Sequence, residues 1–474
     1  MYVSVIFIII LCSDSDVNLI WQRMITFPNS YQLTMHHTIY RYFCPLVILG
    51  FCFTADEVLG QVVAFTEVHI IPISGNEIES GTLLIENDKI RAVGPSDEVD
   101  IPDGARVVAL PGKVIMPGLV DSHSHIGNGD GGDKSSALHP GVRIFDAIDV
   151  HSDTFKKARA GGITTVNIMP GSGHLMSGQT IYLKLREAVI IDDMLLNRDP
   201  NGILGGMKMA NGTNSLRPPP FPGTRAKSAA MVRALFVKAQ AYQQKIASAG
   251  NDPDKMPSRD LEMEALVEVL EGKRVVHNHT HRHDDIITSM RLAEEFGYRL
   301  VLHHISEGWK VADEIAKAKI PCSIIVLDSP GGKLEAAELR FDTGAILEKA
   351  GVDVGYHSDD QITDSRLFLR SAAFGVRGGM TRAKALEAVT LANARMLDAA
   401  QKVGSLEKGK DADFIILSGD PLSVYTLVEQ TWIEGKKVFD RSNPEDLKFA
   451  TGGLDVFRGE YYNHHGDFNL IKAQ

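Results

Sequence analysis

Between Gly118 and Ala400 one pattern recurs: apolar, β-rich runs of five to eight residues, separated by helical stretches. That alternation is the signature of βα units wound around a parallel sheet. Eight candidate strands end near His123, Met169, Leu185, Met209, His279, His304, Leu327 and His357, and helices are predicted over 226–246, 261–270, 284–296 and 381–399. Eight such units in 283 residues predict an α/β chain folded as a (β/α)8 TIM barrel, a fold that takes about 250 residues or more. The run Arg217-Pro-Pro-Pro-Phe-Pro222 suits neither strand nor helix and is read as a loop over the barrel mouth.

The flanks read differently. Val62-Val-Ala-Phe, Val68-His-Ile-Ile and the stretch from Gly81 to Gly94, with Asn87-Asp88 as a hairpin turn, are strands, and a matching patch returns at Ala412 to Leu417 and Val428 to Phe439. Two β patches around a long middle predict a small composite β-sandwich domain built from both chain ends, 61–117 with 401–447, around a barrel at 118–400. Residues 448–474 are read as a C-terminal extension.

Residues 1–60 are read as a leader. Their apolar runs, Val3 to Leu11 and Pro45 to Ala55, are both shorter than the roughly 20 residues a membrane span needs, so no stable membrane anchor is expected. The second run follows Met35 and Arg41 and precedes Val58-Leu59-Gly60, the layout of a signal peptide with a start at Met35 and a mature chain beginning near Gln61. The expected location is secreted or periplasmic, or cytoplasmic if the leader is a wrongly assigned start. Three of four cysteines fall in the first 52 residues, which leaves Cys322 alone and excludes a disulfide framework in the body.

A 44% hydrophobic, 23% charged composition excludes disorder, and a net charge of −11 without a basic block argues against nucleic acid. The 17 histidines carry more information, because a barrel places its working residues at the carboxyl ends of its strands. His123 and His125 end the first predicted strand, His277, His279 and His281 the fifth, His303 and His304 the sixth. His357, Asp359 and Asp360 close the eighth, and His283 counts with this group. Imidazole and carboxylate together suit zinc and its first-row neighbours, so a divalent metal site of one or two ions is predicted. Pro170-Gly-Ser-Gly-His-Leu is read as a Gly-rich turn, Asn278-His-Thr as a buried rather than glycosylated sequon, Cys322 as core, and His464 and His465 as exposed.

Pro117-Gly-Leu-Val-Asp-Ser-His-Ser-His125 and Gly404-Ser-Leu-Glu-Lys-Gly-Lys-Asp-Ala-Asp-Phe-Ile-Ile-Leu417 resemble the amidohydrolase superfamily, within it the branch of imidazolonepropionases and metal-dependent Xaa-Pro or Xaa-Arg dipeptidases. The resemblance runs from about Gln61 to Asp440. It implies that His123 and His125 bind the more buried metal and that His279, His304 and Asp359 are the ligands ending strands five, six and eight. His277 and His303 are the rivals for two of these places. It also implies Lys208 as the lysine that is carboxylated to bridge two metals, with Lys184 as its rival.

The activity implied is hydrolysis of a C–N bond in a small amide, cyclic amide or peptide by metal-activated water. Asp359 would move the proton, and His304 or His281 would stabilise the oxyanion. A dipeptidase, a deaminase and a catalytically silent scaffold barrel are the alternatives. A homo-oligomer is left open.

Overall fold

The computed structural model describes residues 62–453, except 130, 199–201, 326–332 and 361, together with 456. All of the described residues belong to one compact unit. The predicted leader and the histidines at 464 and 465 lie outside the described residues.

Five strands come first: β1 (Val62–Ile70), β2 (Ile78–Glu86), β3 (Lys89–Pro95), β4 (Arg106–Ala109) and β5 (Val114–Pro117). The middle of the chain supplies β6 (Leu119–Ser124), β7 (Ile163–Ile168), β8 (Met176–Gln179), β9 (Ile181–Lys184), β10 (Met207–Ala210), β11 (Val276–Thr280), β12 (Leu300–His304), β13 (Cys322–Ile324) and β14 (Val354–Tyr356). The far end adds β15 (Phe414–Leu417), β16 (Val428–Ile433) and β17 (Lys436–Asp440).

Both chain ends share one eight-stranded sheet, ordered β17-β16-β15-β5-β1-β2-β3 with β4 on β1. Its join is the antiparallel pair β5 and β15, Met116 opposite Ile415. The Asn87-Asp88 hairpin is present, with Glu86 paired to Lys89 and Asn87 at φ 56°. Phe65, Phe414 and Trp432 pack as one aromatic group in this sheet's core, Phe65 edge-on to Phe414 at 5.1 Å and Trp432 stacked on it at 5.4 Å.

Strands β10 to β14 form a parallel ladder, continued by β8 on its far edge. Every residue of β10, β11, β12, β13 and β14 is buried, as expected of parallel strands covered on both faces. Helices lie between them at Arg225–Ala249, Leu261–Leu270, His283–Phe296, Ala312–Ala318 and Thr343–Ala350, the first three close to the predicted spans. Asp260 caps the second through Glu262 and Met263 N–H, and Gly297 at φ 72° ends the third.

Two expectations are corrected. The predicted third strand, β9, runs antiparallel to β7. Only twelve residues separate Ile168 from Ile181, and they hold β8 rather than a helix, so the segment is not the helical crossover that parallel strands use. The helix predicted over 381–399 is broken into Arg382–Glu387 and Leu391–Met396. The carbonyls between them are taken by strands: Ala388 O accepts from Tyr356 N at 2.7 Å and Val389 O from Val120 N at 3.0 Å.

The three-stranded sheet β6-β7-β9 meets the larger one at two seams. On one side, Tyr182 N donates to Leu204 O and Thr180 N to Gly206 O, at 2.8 and 2.9 Å. On the other, the buried Asn393 amide donates to both Val120 O and Tyr356 O at 2.6 Å, tying β6 to β14. Cys322 is buried in β13, as expected.

Phe414→Ala should destabilise this unit by about 3–5 kcal/mol, because Phe414 is fully buried and its loss leaves a cavity beside two aromatic rings. Urea unfolding measures it; a change below about 0.5 kcal/mol, the scale of a surface substitution, would show the aromatic group to be dispensable.

Candidate metal centre

Each strand of the parallel ladder ends beside the next, and the ladder sets where the histidines lie. His279 pairs with His303 and Thr280 with His304 in the β11–β12 register. Adjacent residues of a strand point to opposite faces. Even so, the rings of His303 and His304 both lie 4.9 Å from the His123 ring. The backbone accounts for this: His304 sits at φ 69°, in the left-handed region, where the strand ends and turns its second imidazole inward. Asp359, after β14, is likewise left-handed at φ 48°, with its N–H on His123 O at 2.9 Å.

The carboxylate of Asp359 thereby reaches both first-strand histidines, its Oδ1 lying 3.3 Å from His123 Nε2 and 3.0 Å from His125 Nε2. These three make one potential metal group. His125 is oriented by its Nδ1 on Met169 O at 2.8 Å, the kind of outer hydrogen bond that fixes the tautomer of a ligating imidazole. Lys208 of β10, fully buried, approaches His123 Nε2 at 3.1 Å and Met169 Sδ at 3.0 Å. Burial pushes its ammonium down to about 7, against the opposing pull of the Asp359 carboxylate.

Lys184 is equally buried but serves another purpose. It forms ion pairs with Asp411, with Asp413 at 3.0 Å and with Glu434 at 3.3 Å, tying β9 to the eight-stranded sheet. Its ammonium is held up by these carboxylates, and it does not join the histidine cluster.

Hydrogen bonding sorts the remaining histidines. His277 is satisfied on both ring nitrogens, by Tyr182 OH at 2.8 Å and His303 Nε2 at 3.0 Å. His279, one layer further along β11, has both ring nitrogens buried and without a partner, and its ring lies 4.3 Å from that of His304. His304 Nδ1 bonds His357 Nε2 at 3.1 Å, and His357 Nδ1 bonds Ser323 Oγ at 2.9 Å, so the far nitrogen, His304 Nε2, is left open. His303 keeps an open Nδ1, and it forms a second potential group with His123 and His357. Burial holds the imidazoles of His123, His279, His303 and His304 far below their ordinary range, so they are neutral donors of lone pairs.

His283, counted with the strand-end histidines, does not belong to them. It is half exposed and bonded to Glu307 at 2.6 Å. Asn278 is buried against Ser289, as expected of a sequon inside a strand. Asp360, beside Asp359, pairs with the buried Lys157 at 2.8 Å instead of entering the site. The run at 217–222 packs on the Gly-rich turn: Arg217 bonds Gly173 O, and Phe221 lies 5.2 Å from His174.

Some participants carried no signal in the sequence. Asp121, within the Pro117–His125 motif, bonds Ser358 through its N–H at 3.0 Å and its hydroxyl, tying the first strand to the eighth. Glu335, on the segment after β13, forms a third potential group with His279 and His281. It comes from a stretch without periodicity, where an acidic residue looks like any surface residue.

A family model described as the amidohydrolase family matches residues 259–440. Among solved structures, an amidohydrolase from Thermotoga maritima MSB8 is 32% identical, covers 80% of this chain and 100% of its own, and superposes with a TM-score of 0.74. The chain belongs to the amidohydrolase family. Among curated relatives, an amidohydrolase of Hapsidospora irregularis is 27% identical over 396 residues, 76% of this chain, which spans only 40% of that protein's length. An imidazolonepropionase from Alkaliphilus metalliredigens is 23% identical over 406 residues, covering 79% of this chain and 92% of its own. This amidohydrolase is a metal-dependent enzyme that hydrolyses carbon–nitrogen bonds. No helix among the described residues is long and apolar enough to cross a membrane.

The Gly-rich turn generates a pH prediction. His174 is buried with its Nε2 on Asp133 O at 2.6 Å, and burial lowers its imidazole to about 4. Between pH 6.5 and 4 the unfolded chain therefore binds a proton that the folded one refuses, and stability falls as pH drops through that window. His174→Gln should flatten this part of the stability profile, read by thermal unfolding as a function of pH. An unchanged slope would mean that His174 is not a source of acid sensitivity.

Proposed function

We propose that this chain hydrolyses a small amide or cyclic amide, on a closed (β/α)8 barrel carrying a composite β domain made from 61–117 and 401–447. His123, His125, Asp359, Lys208, His279 and His304 hold the metal, with zinc as the ion. The observation that carries the reading is His279: both ring nitrogens buried and unpartnered beside the open Nε2 of His304. A buried polar atom without a partner is costly, and lone pairs of this kind are met by an ion. The seams at Asn393 and at Tyr182 support closure of the barrel. His304 is preferred to His303 because its ring lies 4.3 Å from that of His279 and its Nε2 is open, whereas His303 is engaged with the satisfied His277.

A bound divalent cation supplies Lewis acidity here, lowering the pKa of water to about 7 and polarising the carbonyl. The chain's own residues do the rest. Asp359 Oδ1, held by His123 and His125, accepts the proton of the attacking water and returns it to the leaving nitrogen. His281, fixed by Ser306 Oγ at 2.8 Å and open at Nε2, is placed to stabilise the developing oxyanion. Lys208, whose ammonium burial lowers to about 7, is the residue that would react as the free amine with carbon dioxide, and the carbamate so formed would help to hold a second ion. The apolar run at 45–55 and the residues around Val58 to Gly60 support export of the mature enzyme.

Protein purified without chelator and assayed on dipeptides, N-acyl amino acids and cyclic amides tests the reading, with ammonia release marking a deaminase instead. Asp359→Asn, reconstituted to the wild-type metal content, should lower kcat by about a hundredfold or more, as expected for loss of a general base. Near-normal turnover would remove Asp359 from proton transfer. His279→Gln should lose bound metal, whereas His283→Gln should retain it in full, measured by inductively coupled plasma mass spectrometry. Equal metal in both would take His279 out of the ligand set.

A further inference from the structure

Glu335 is buried, with its side chain 3% exposed, and only half of its carboxylate is used. Oε2 accepts from Thr213 N at 2.8 Å and from Arg225 Nη2 at 3.4 Å, while Oε1 is buried without a partner. The neighbouring loop leaves room for it: a Cβ on Gly212, a residue at φ 68°, would stand 2.6 Å from Oε2. The carboxylate faces the metal centre, because a Glu335 oxygen and ring nitrogens of His279 and His281 lie within 4.8 Å of one another. His281 is also open at Nε2. A built, buried acceptor and an open histidine nitrogen therefore converge beside the proposed ligand His279.

We propose that Glu335 is a specificity determinant of this active site: its Oε1 accepts a hydrogen bond from an uncharged N–H of the substrate, an amide, lactam or ureide nitrogen next to the bond that is cleaved. The assignment rests on the C–N hydrolase reading above. An uncharged donor is favoured over an ammonium because the negative charge of Glu335 is already answered. Arg225 touches it, and the largely buried Lys333, two residues before, acts on both Glu335 and Asp359. What Glu335 lacks is a donor for one lone pair, and leaving that acceptor unmet is what a substrate without an N–H would do.

Glu335→Gln is the informative variant. Its amide oxygen must turn to Thr213 N and Arg225, so its NH2 replaces the acceptor with a donor that repels a substrate N–H. Matched pairs are compared for wild type, E335Q and E335A, with metal content measured on each protein: glycylalanine against its N-methyl form, N-acetylalanine against N-acetyl-N-methylalanine, and dihydrouracil against N,N′-dimethyldihydrouracil. For the pair that the wild type hydrolyses, it should prefer the N–H member by roughly tenfold or more, and both variants should lose that preference through KM, with metal content unchanged. A preference that survives in both variants overturns the assignment. Loss of metal from E335Q also overturns it, by making Glu335 a ligand. No hydrolysis of any member by metal-loaded wild type refutes the C–N hydrolase reading itself on these substrates, and the assignment falls with it.

Discussion

The in-register parallel ladder from β10 to β14 is the constraint on which the rest of the site depends. It brings His279, His303 and His304 to neighbouring strand ends without a long loop, so their positions are fixed by backbone hydrogen bonds. Side chains presented from strands are held more tightly than those on loops, which suits the proposed metal centre. The same ladder buries the imidazoles, and burial keeps them neutral and able to donate a lone pair.

Within that frame, hydrogen bonds divide similar residues into different roles. His277 closes a chain from Tyr182 to His303 and has nothing left to offer, whereas the ring nitrogens of His279 have no hydrogen-bond partner among the described residues. Ser122, Ser323 and His357 form a second chain, 2.7 Å and then 2.9 Å, that ends on His304 and leaves its Nε2 facing the site. The two buried lysines separate in the same way. Three carboxylates surround Lys184, while Lys208 has none as an ion-pair partner among the described residues and lies against a histidine.

Much of this was legible because it obeys local rules. The helix at 261–270 announces itself through its Asp260 cap and apolar spacing, and the histidine clusters stand out because each comes directly after an apolar run. What was not legible depends on contacts far apart in sequence. The direction of β9 is set by its pairing with β7, and its apolar run reads the same either way. The break in the helix over 381–399 comes from strands claiming the carbonyls of Ala388 and Val389, contacts that the local sequence does not reveal even though Val389 and Thr390 are β-branched. The choice between His277 and His279 rested on register alone in the sequence, since both point to one face. The hydrogen bonds of His277 to Tyr182 and His303 distinguish them.

The left-handed backbone at His304 and Asp359 connects this geometry to its cost. A residue with a Cβ is disfavoured there by about 1–3 kcal/mol, and neither position is a glycine that would relieve it. Glycine is not an option, because the conformation exists to aim an imidazole and a carboxylate. The strain is instead countered locally: Asp359 N–H is tied to His123 O, and the next residue after His304, Ile305, itself at φ 38°, donates to Thr280 O at 2.8 Å. The same bonds that hold the strained turns also join neighbouring strands, β12 to β11 and β14 to β6. Relaxing either turn would therefore cost a strand contact as well as the placement of a proposed ligand, so the fold and the geometry of the candidate site are specified by the same hydrogen bonds.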